Sequence, residues 1–362
     1  MSKEPWLILD DKQMLRVLHL SFHVGCINDL QYVFKTLGHS IEYKKMTIPQ
    51  CKVTAATADS IWEAEKTRFQ SYDIIITSDT VALSYIFLRH LDELRPFLII
   101  LNTNRFDYNM YDEPEFYKLL QSVHHVRKKV AYIPVCMFET IWCGQKGVIV
   151  TEPPILPVGK WLKDDVFTGQ YIRDDFGEIN TSLMRLPPSE TIFVQKYFNH
   201  TQFLDLPRML SDFGISVASG GYQSFEEIAG FKGLVVLPDT FCKYFAFESI
   251  QNELLIFLPS QRFLLELGAH PGYFFNTEGS GGKITSEFIN LCEWYKYPET
   301  RIFFDSFPDL FYKIQTTTHK HVEEKKAWMR HYAALHEKAQ LERWNHLLTS
   351  IRLLQAGTAQ SV

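Results

Sequence analysis

The stretch LVVLPDTFCKYFAFESIQNELLIFLPS, residues 234–260, decides the fold. It opens on an apolar run at 234–237, turns at Pro238, continues at helical spacing, and closes on a second apolar run at 254–258 before Pro259 and Ser260. Two short continuous apolar runs around one helix predict a βαβ unit whose strands are covered on both faces. The helix carries a single carboxylate, Glu248, within the otherwise apolar FAFESI. A buried acid needs a partner, and ligands of open α/β sheets sit at the carboxyl ends of the strands. Glu248 is therefore a candidate to accept two hydrogen bonds from a ribose diol.

The first half of the chain repeats this alternation. MLRVLHLSF (14–22) reads as a strand, INDLQYVFKTLG (27–38) as a helix with a glycine stop, and IEYKKM (41–46) as a short strand. A polar helix at 59–70 leads to the strand YDIIITSD (72–79), then to a helix at 80–91, the strand PFLIILNTN (96–104) and a helix at 113–130. AYIPVC (131–136), a short helix, and a strand GVIVTEP (147–153) complete a doubly wound lobe. The turn His23-Val24-Gly25 lacks the spacing of a dinucleotide fingerprint.

Proline-rich EPPILPVGKW and LMRLPPSE then break the periodicity, as expected of a connector. A second lobe starts with the strand TIFVQKYF (191–198) and a helix at 203–214. It continues with ISVASGGY (215–222) and a short helix at 224–231 opened by a Ser-x-x-Glu capping box. The 234–260 unit follows, then a helix at 260–268 and the strand RIFFDSF (301–307). A long amphipathic helix spans 321–354. The expected division is a first lobe at 1–155, a crossover at 156–189, a second lobe at 190–318, and a C-terminal helix and tail at 319–362.

At 362 residues the chain is long enough for two cores. It is 46% hydrophobic and 22% charged with net charge −5, a globular composition without the basic stripe of a nucleic-acid binder. No run reaches the ~18 apolar residues of a membrane span, and the opening MSKEPWLILDDKQML has no apolar signal core. Six scattered cysteines with no CxxC pair argue against a zinc site and for a reduced, cytoplasmic setting.

Two Rossmann-like lobes, a proline-rich crossover and a closing helix resemble the GT-B glycosyltransferases. At the level of motifs the resemblance covers roughly 191–267, with its strand-Lys, strand-Gly-Gly-Tyr, strand-Pro, helix-Glu and strand-Pro-Ser succession. It implies a nucleotide-sugar donor on the second lobe, an acceptor facing the first, and no metal. Glu248 matches the glutamate that binds the donor ribose in such enzymes, and Lys196 a basic residue near the donor phosphates. The family's second glutamate, eight residues before the first, is Thr240 here, a departure that loosens any transfer of sugar contacts.

Other donor-side candidates come from the residues themselves. Thr240, Lys243 and Tyr244 lie in the turn before a helix, where amides and the helix dipole favour a diphosphate; capping by Thr240 and a solvated Lys243 are the alternatives. Gly221 permits close backbone approach, and Tyr222 can stack on a base. On the acceptor side, Asn104 and Arg105 form a polar cluster after a buried strand. A general base for glycosyl transfer is expected among His23, Asp79 and Asp107, with helix capping an alternative role for Asp79. No Asp-x-Asp motif is present. The expected function is thus a metal-independent glycosyltransferase acting on a glycan, protein or small-molecule hydroxyl. The alternatives are a nucleotide-sugar epimerase or hydrolase of the same fold, or a non-catalytic nucleotide-sugar binder.

Overall fold

The computed structural model describes residues 14–162, 179–195, 204–222, 224–241, 243–273, 275 and 284–359. The chain divides into two compact units, one formed by 1–167 with 337–362 and the other by 168–336.

The first unit is built on five parallel strands: β1 (Arg16–Ser21), β2 (Ser40–Lys45), β3 (Ile74–Asp79), β4 (Phe97–Asn102) and β5 (Val130–Pro134). Their spatial order is β2-β1-β3-β4-β5. This is a doubly wound order whose direction of winding switches between β1 and β3. Helices α1 (Val24–Thr36), α2 (Ala55–Phe69), α3 (Ser84–Leu88), α4 (Pro114–Ser122) and α5 (Met137–Gln145) connect and cover the strands. α2 starts at Thr54, whose hydroxyl accepts the Thr57 N–H at 3.2 Å, and α4 starts on Pro114, which has no N–H to leave unpaired.

The first sheet buries both faces. One carries Trp62, Phe69, Phe87, Phe116 and Tyr132. The other packs Val33, Phe34, Ile76 and Ile99 beneath Trp344, Leu348 and Ile351. Phe34 and Trp344 meet edge to face at 5.5 Å.

The second unit contains β6 (Ile192–Gln195), α6 (Leu206–Asp212), β7 (Val217–Gly220), α7 (Phe225–Ala229), β8 (Gly233–Val235) and α8 (Tyr244–Gln251). β9 (Ile256–Pro259), α9 (Gln261–Gly268), α10 (Ser286–Ile289), β10 (Arg301–Phe304) and α11 (Phe307–Thr316) follow. Its five parallel strands run β10-β9-β8-β6-β7, which repeats the order of the first sheet with its switch between β6 and β8. β8 opens on Gly233 for a packing reason: a Cβ there would stand 2.9 Å from the Phe257 ring.

The last helix, α12 (His319–Ala359), belongs to both units, passing from the second to the first between His336 and Glu337. Its later part is fixed to the first unit by Gln340, which accepts the Leu156 N–H at 3.0 Å, and by Arg343, which donates to the Pro154 carbonyl at 2.7 Å. Glu337 accepts from Lys160 at 3.1 Å and from the Tyr32 hydroxyl.

Three expectations need correction. The strand at 147–153 does not form. The Thr151 and Glu152 N–H groups both go to the Tyr132 carbonyl, the Thr151 hydroxyl takes the Tyr132 N–H at 2.7 Å, and Pro153 and Pro154 have no N–H with which to extend a ladder. Ser224 stands at the N-cap of α7 without a side-chain capping bond. The crossover is also not a separate connector. Its start lies with the first unit, and Asn180 bridges Ser219 beside β7 in the second through backbone bonds of 2.6 and 3.0 Å. Among the described residues no helix is long and apolar enough to cross a membrane.

Candidate functional site

The carboxyl ends of β1 and β3 flank the switch point of the first sheet, and the segments that leave them carry His23 and Asp79. His23 is the N-cap residue of α1 and is half-buried. Beneath it runs a hydrogen-bonded chain. His19 Nε2 lies 2.7 Å from Ser78 Oγ, Ser78 Oγ donates to Ser21 Oγ at 2.8 Å, and Ser21 Oγ donates to the His23 carbonyl at 3.2 Å. These directions agree only if His19 carries its proton on Nε2. Burial pushes the His19 pKa down to about 3, so this imidazole is neutral at physiological pH. The other face of His23 meets Cys26, whose Sγ is 3.8 Å from Nδ1 and 3.6 Å from the Thr103 hydroxyl.

Asp79 ends β3 with φ at +80°, the left-handed region that an L-residue enters at a cost. It is not the N-cap of the expected helix: the turn that follows starts from Thr80, and α3 begins only at Ser84. Burial raises its pKa to about 6, against the lowering effects of the Thr80 N–H and the nearby Arg105 charge. Next to it, Thr80 Oγ1 is buried with no hydrogen-bond partner among the described residues.

One strand further along, the segment after β4 is held from α5. Glu139 is buried; its Oε1 accepts the Arg105 N–H at 3.2 Å and its Oε2 accepts from Asn102 Nδ2 at 3.1 Å. Burial pushes the Glu139 pKa up to about 7. Asn104 and Arg105 are half-buried, with the Arg105 guanidinium 4.7 Å from the centre of the Tyr108 ring. Asn102 Oδ1 is buried and unpartnered among the described residues.

Asp107 is not part of this edge. It is fully buried, and its two oxygens accept from the Tyr117 hydroxyl at 2.8 Å and from Trp142 Nε1 at 3.1 Å. Its oxygens are committed to the interior, so it is withdrawn as a base. His23 and Asp79 remain.

In the second unit the switch lies between β6 and β8. Lys196, directly after β6, lies outside the described residues. After β8, Pro238 leads into Asp239, Thr240 and the N-terminus of α8. The N-cap residue of α8 is Lys243, in extended conformation, so Thr240 does not cap it. Lys243 is not a solvated cation: its ammonium sits 2.8 Å from one oxygen of Asp239 and 2.9 Å from the other. Tyr244 and Glu248 are both buried on α8. The carbonyl of Glu248 accepts from both the backbone and side-chain N–H groups of Asn252, closing the helix.

Gly221 and Tyr222 follow β7, the outer strand, and so lie one strand away from the switch. The Tyr222 ring packs among Phe193, Phe225 and Phe245, with centroid distances of 6.1 to 6.2 Å. Its aromatic surface is used by the core.

Sequence reading missed Glu139 and Thr80. Glu139 carried a usable signal, because it is the one acid in FETIWCGQKG, the helical segment after β5, just as Glu248 is in FAFESI. Among the described residues no group of three or more His, Cys, Asp or Glu side chains is arranged to hold a metal ion. The chain matches no protein-family model and no curated protein sequence.

Proposed function

We propose that this protein transfers a sugar from a nucleotide-diphosphate donor to a hydroxyl acceptor, binding the donor at the switch-point edge of the second sheet. The observation that carries the reading is Glu248, a buried carboxylate on the helix that follows β8 beside the switch. A carboxylate can accept both O–H groups of a ribose diol, and the amides at the start of α8 suit a diphosphate. Such a transfer also needs a general base. Asp79, with its pKa pushed up to about 6, is matched to accepting a proton near neutral pH. The acceptor oxygen would form its bond to the anomeric carbon as the bond to the diphosphate breaks, and its proton passes to Asp79 or His23.

The test is a thermal-shift titration with UDP, GDP, CMP and dTDP. One of them should stabilise the protein, because a ligand that binds only the folded state raises its stability by mass action. Glu248→Gln should weaken that ligand by about tenfold or more, the loss expected when a charge-assisted pair becomes a neutral one. No shift with any nucleotide sinks the proposal, and an undiminished shift in Glu248→Gln removes Glu248 from it. Hydrolysis of a panel of sugars carried on the stabilising nucleotide then identifies the sugar.

A further inference from the structure

We infer that Glu139 is a positioning residue for the first unit's edge, holding the segment that carries Asn104 and Arg105 through two hydrogen bonds to its buried carboxylate. The geometry is specific. Oε1 takes the backbone N–H of Arg105 and Oε2 takes the side-chain amide of Asn102, so one carboxylate from α5 ties down both the end of β4 and the residue that places the Arg105 side chain. Backbone bonds from the neighbouring strand ends reach Asn102 and Thr103, through Val135 N–H to the Asn102 carbonyl at 2.8 Å and Thr103 N–H to the Asp79 carbonyl at 3.2 Å, and Arg105 lies beyond them.

The same contacts make the hold depend on ionisation. A carboxylate accepts at both oxygens, whereas a carboxylic acid must donate from one of them. Asn102 has the atom that can receive that proton: its Oδ1 is buried and unpartnered among the described residues. On protonation, rotation of the Asn102 amide turns Oδ1 toward the Glu139 O–H and lifts Nδ2 away. The Arg105 N–H then faces a neutral acceptor in place of a charged one. The groups facing Glu139 are Arg105, which favours its ionised form, and Asp107, which opposes it. Tyr132 of β5 and Cys143 of α5 also lie within its field. Burial places the exchange between the two settings near neutrality.

The inference rests on the acceptor reading of this edge only for its effect on turnover; its structural content is tested without it. Hydrogen exchange of the Arg105 amide, corrected for intrinsic rates, should be about fivefold faster at about pH 5.5 than at about pH 8.5, because a charge-assisted bond gives way to a neutral one. In Glu139→Gln, which holds the neutral setting at every pH, that step should vanish while Glu139→Asp restores part of it. Protection of Arg105 that is flat with pH in the unmodified protein overturns the inference, and so does a step that persists in Glu139→Gln. The measurement on the unmodified protein decides even if the variants do not fold. If the step is present but no nucleotide binds, the proposed function fails and the positioning role stands.

Discussion

Lys243 grips both carboxylate oxygens of Asp239, at 2.8 and 2.9 Å, within the turn that precedes α8. The two residues are four apart and only partly exposed, so the pair is shielded better than one on the open surface. A diphosphate at the start of α8 would have to compete with Asp239 for that ammonium and would feel the repulsion of its carboxylate. Asp239→Asn should therefore tighten binding of the stabilising nucleotide by roughly fivefold, about 1 kcal/mol. Lys243→Met should weaken it. Calorimetric titration measures both, and unchanged affinity in the two variants would place the phosphates elsewhere.

Asp79 gives the proposed reaction a pH signature. Its carboxyl, pushed up to about 6, must be ionised to accept a proton. Turnover of low substrate concentrations should accordingly rise with pH through an apparent pKa near 6, then level off. Asp79→Asn should lower turnover by roughly 10²- to 10⁴-fold without changing nucleotide affinity. A variant that keeps its turnover and its pH profile would hand the role to His23.

Much of the framework was legible because parallel strands buried on both faces read as unbroken apolar runs; IIIT in β3 and FLIIL in β4 are of this kind. What those runs do not contain is their order in space. That His23 and Asp79 flank a switch point follows from β1 pairing with both β2 and β3, a long-range fact. Asp107 misled for the same reason. In LNTNRFDY it looks like part of one polar cluster, yet its partners Tyr117 and Trp142 arrive from α4 and α5. Glu139 was legible by the rule applied to Glu248, an isolated acid in an apolar helix after a strand. The Lys243–Asp239 pair had a spacing of four that is informative on a helix but not in a turn.

The later part of α12 should be indispensable to the first unit. Trp344 is buried against Phe34 in an interface that also holds Leu341, Leu347, Leu348 and Ile351. Trp344→Ala should destabilise the first unit by about 3–5 kcal/mol, the range for removing a large aromatic from a core. Denaturant unfolding followed by near-ultraviolet circular dichroism reads the loss. A change below about 1 kcal/mol would mean that this part of α12 is not a structural member of the first core.

Asp29 provides a linkage test that is independent of any ligand. It is buried on α1, and its Oδ1 accepts the Gly159 N–H at 2.7 Å, with the amides of Val158 and Lys160 also favouring its charge. Gly159 sits at φ +77°, which lets these successive amides converge on one carboxylate. Desolvation outweighs them and pushes the Asp29 pKa up to about 7. The folded protein therefore keeps this proton over a range in which the unfolded chain has lost it. Stability from this group is complete below about pH 4, the unfolded value, and falls as pH rises to about 7. The total decline is about 4 kcal/mol at 1.36 kcal/mol per unit. Asp29→Asn has no proton to release, so the variant's stability relative to the unmodified protein should climb by about that amount between about pH 4 and pH 8. Urea unfolding of both proteins across that range is the measurement. A difference that does not change with pH would show that Asp29 is ionised in the folded state throughout, held by the amides of 158–160 more strongly than burial opposes it.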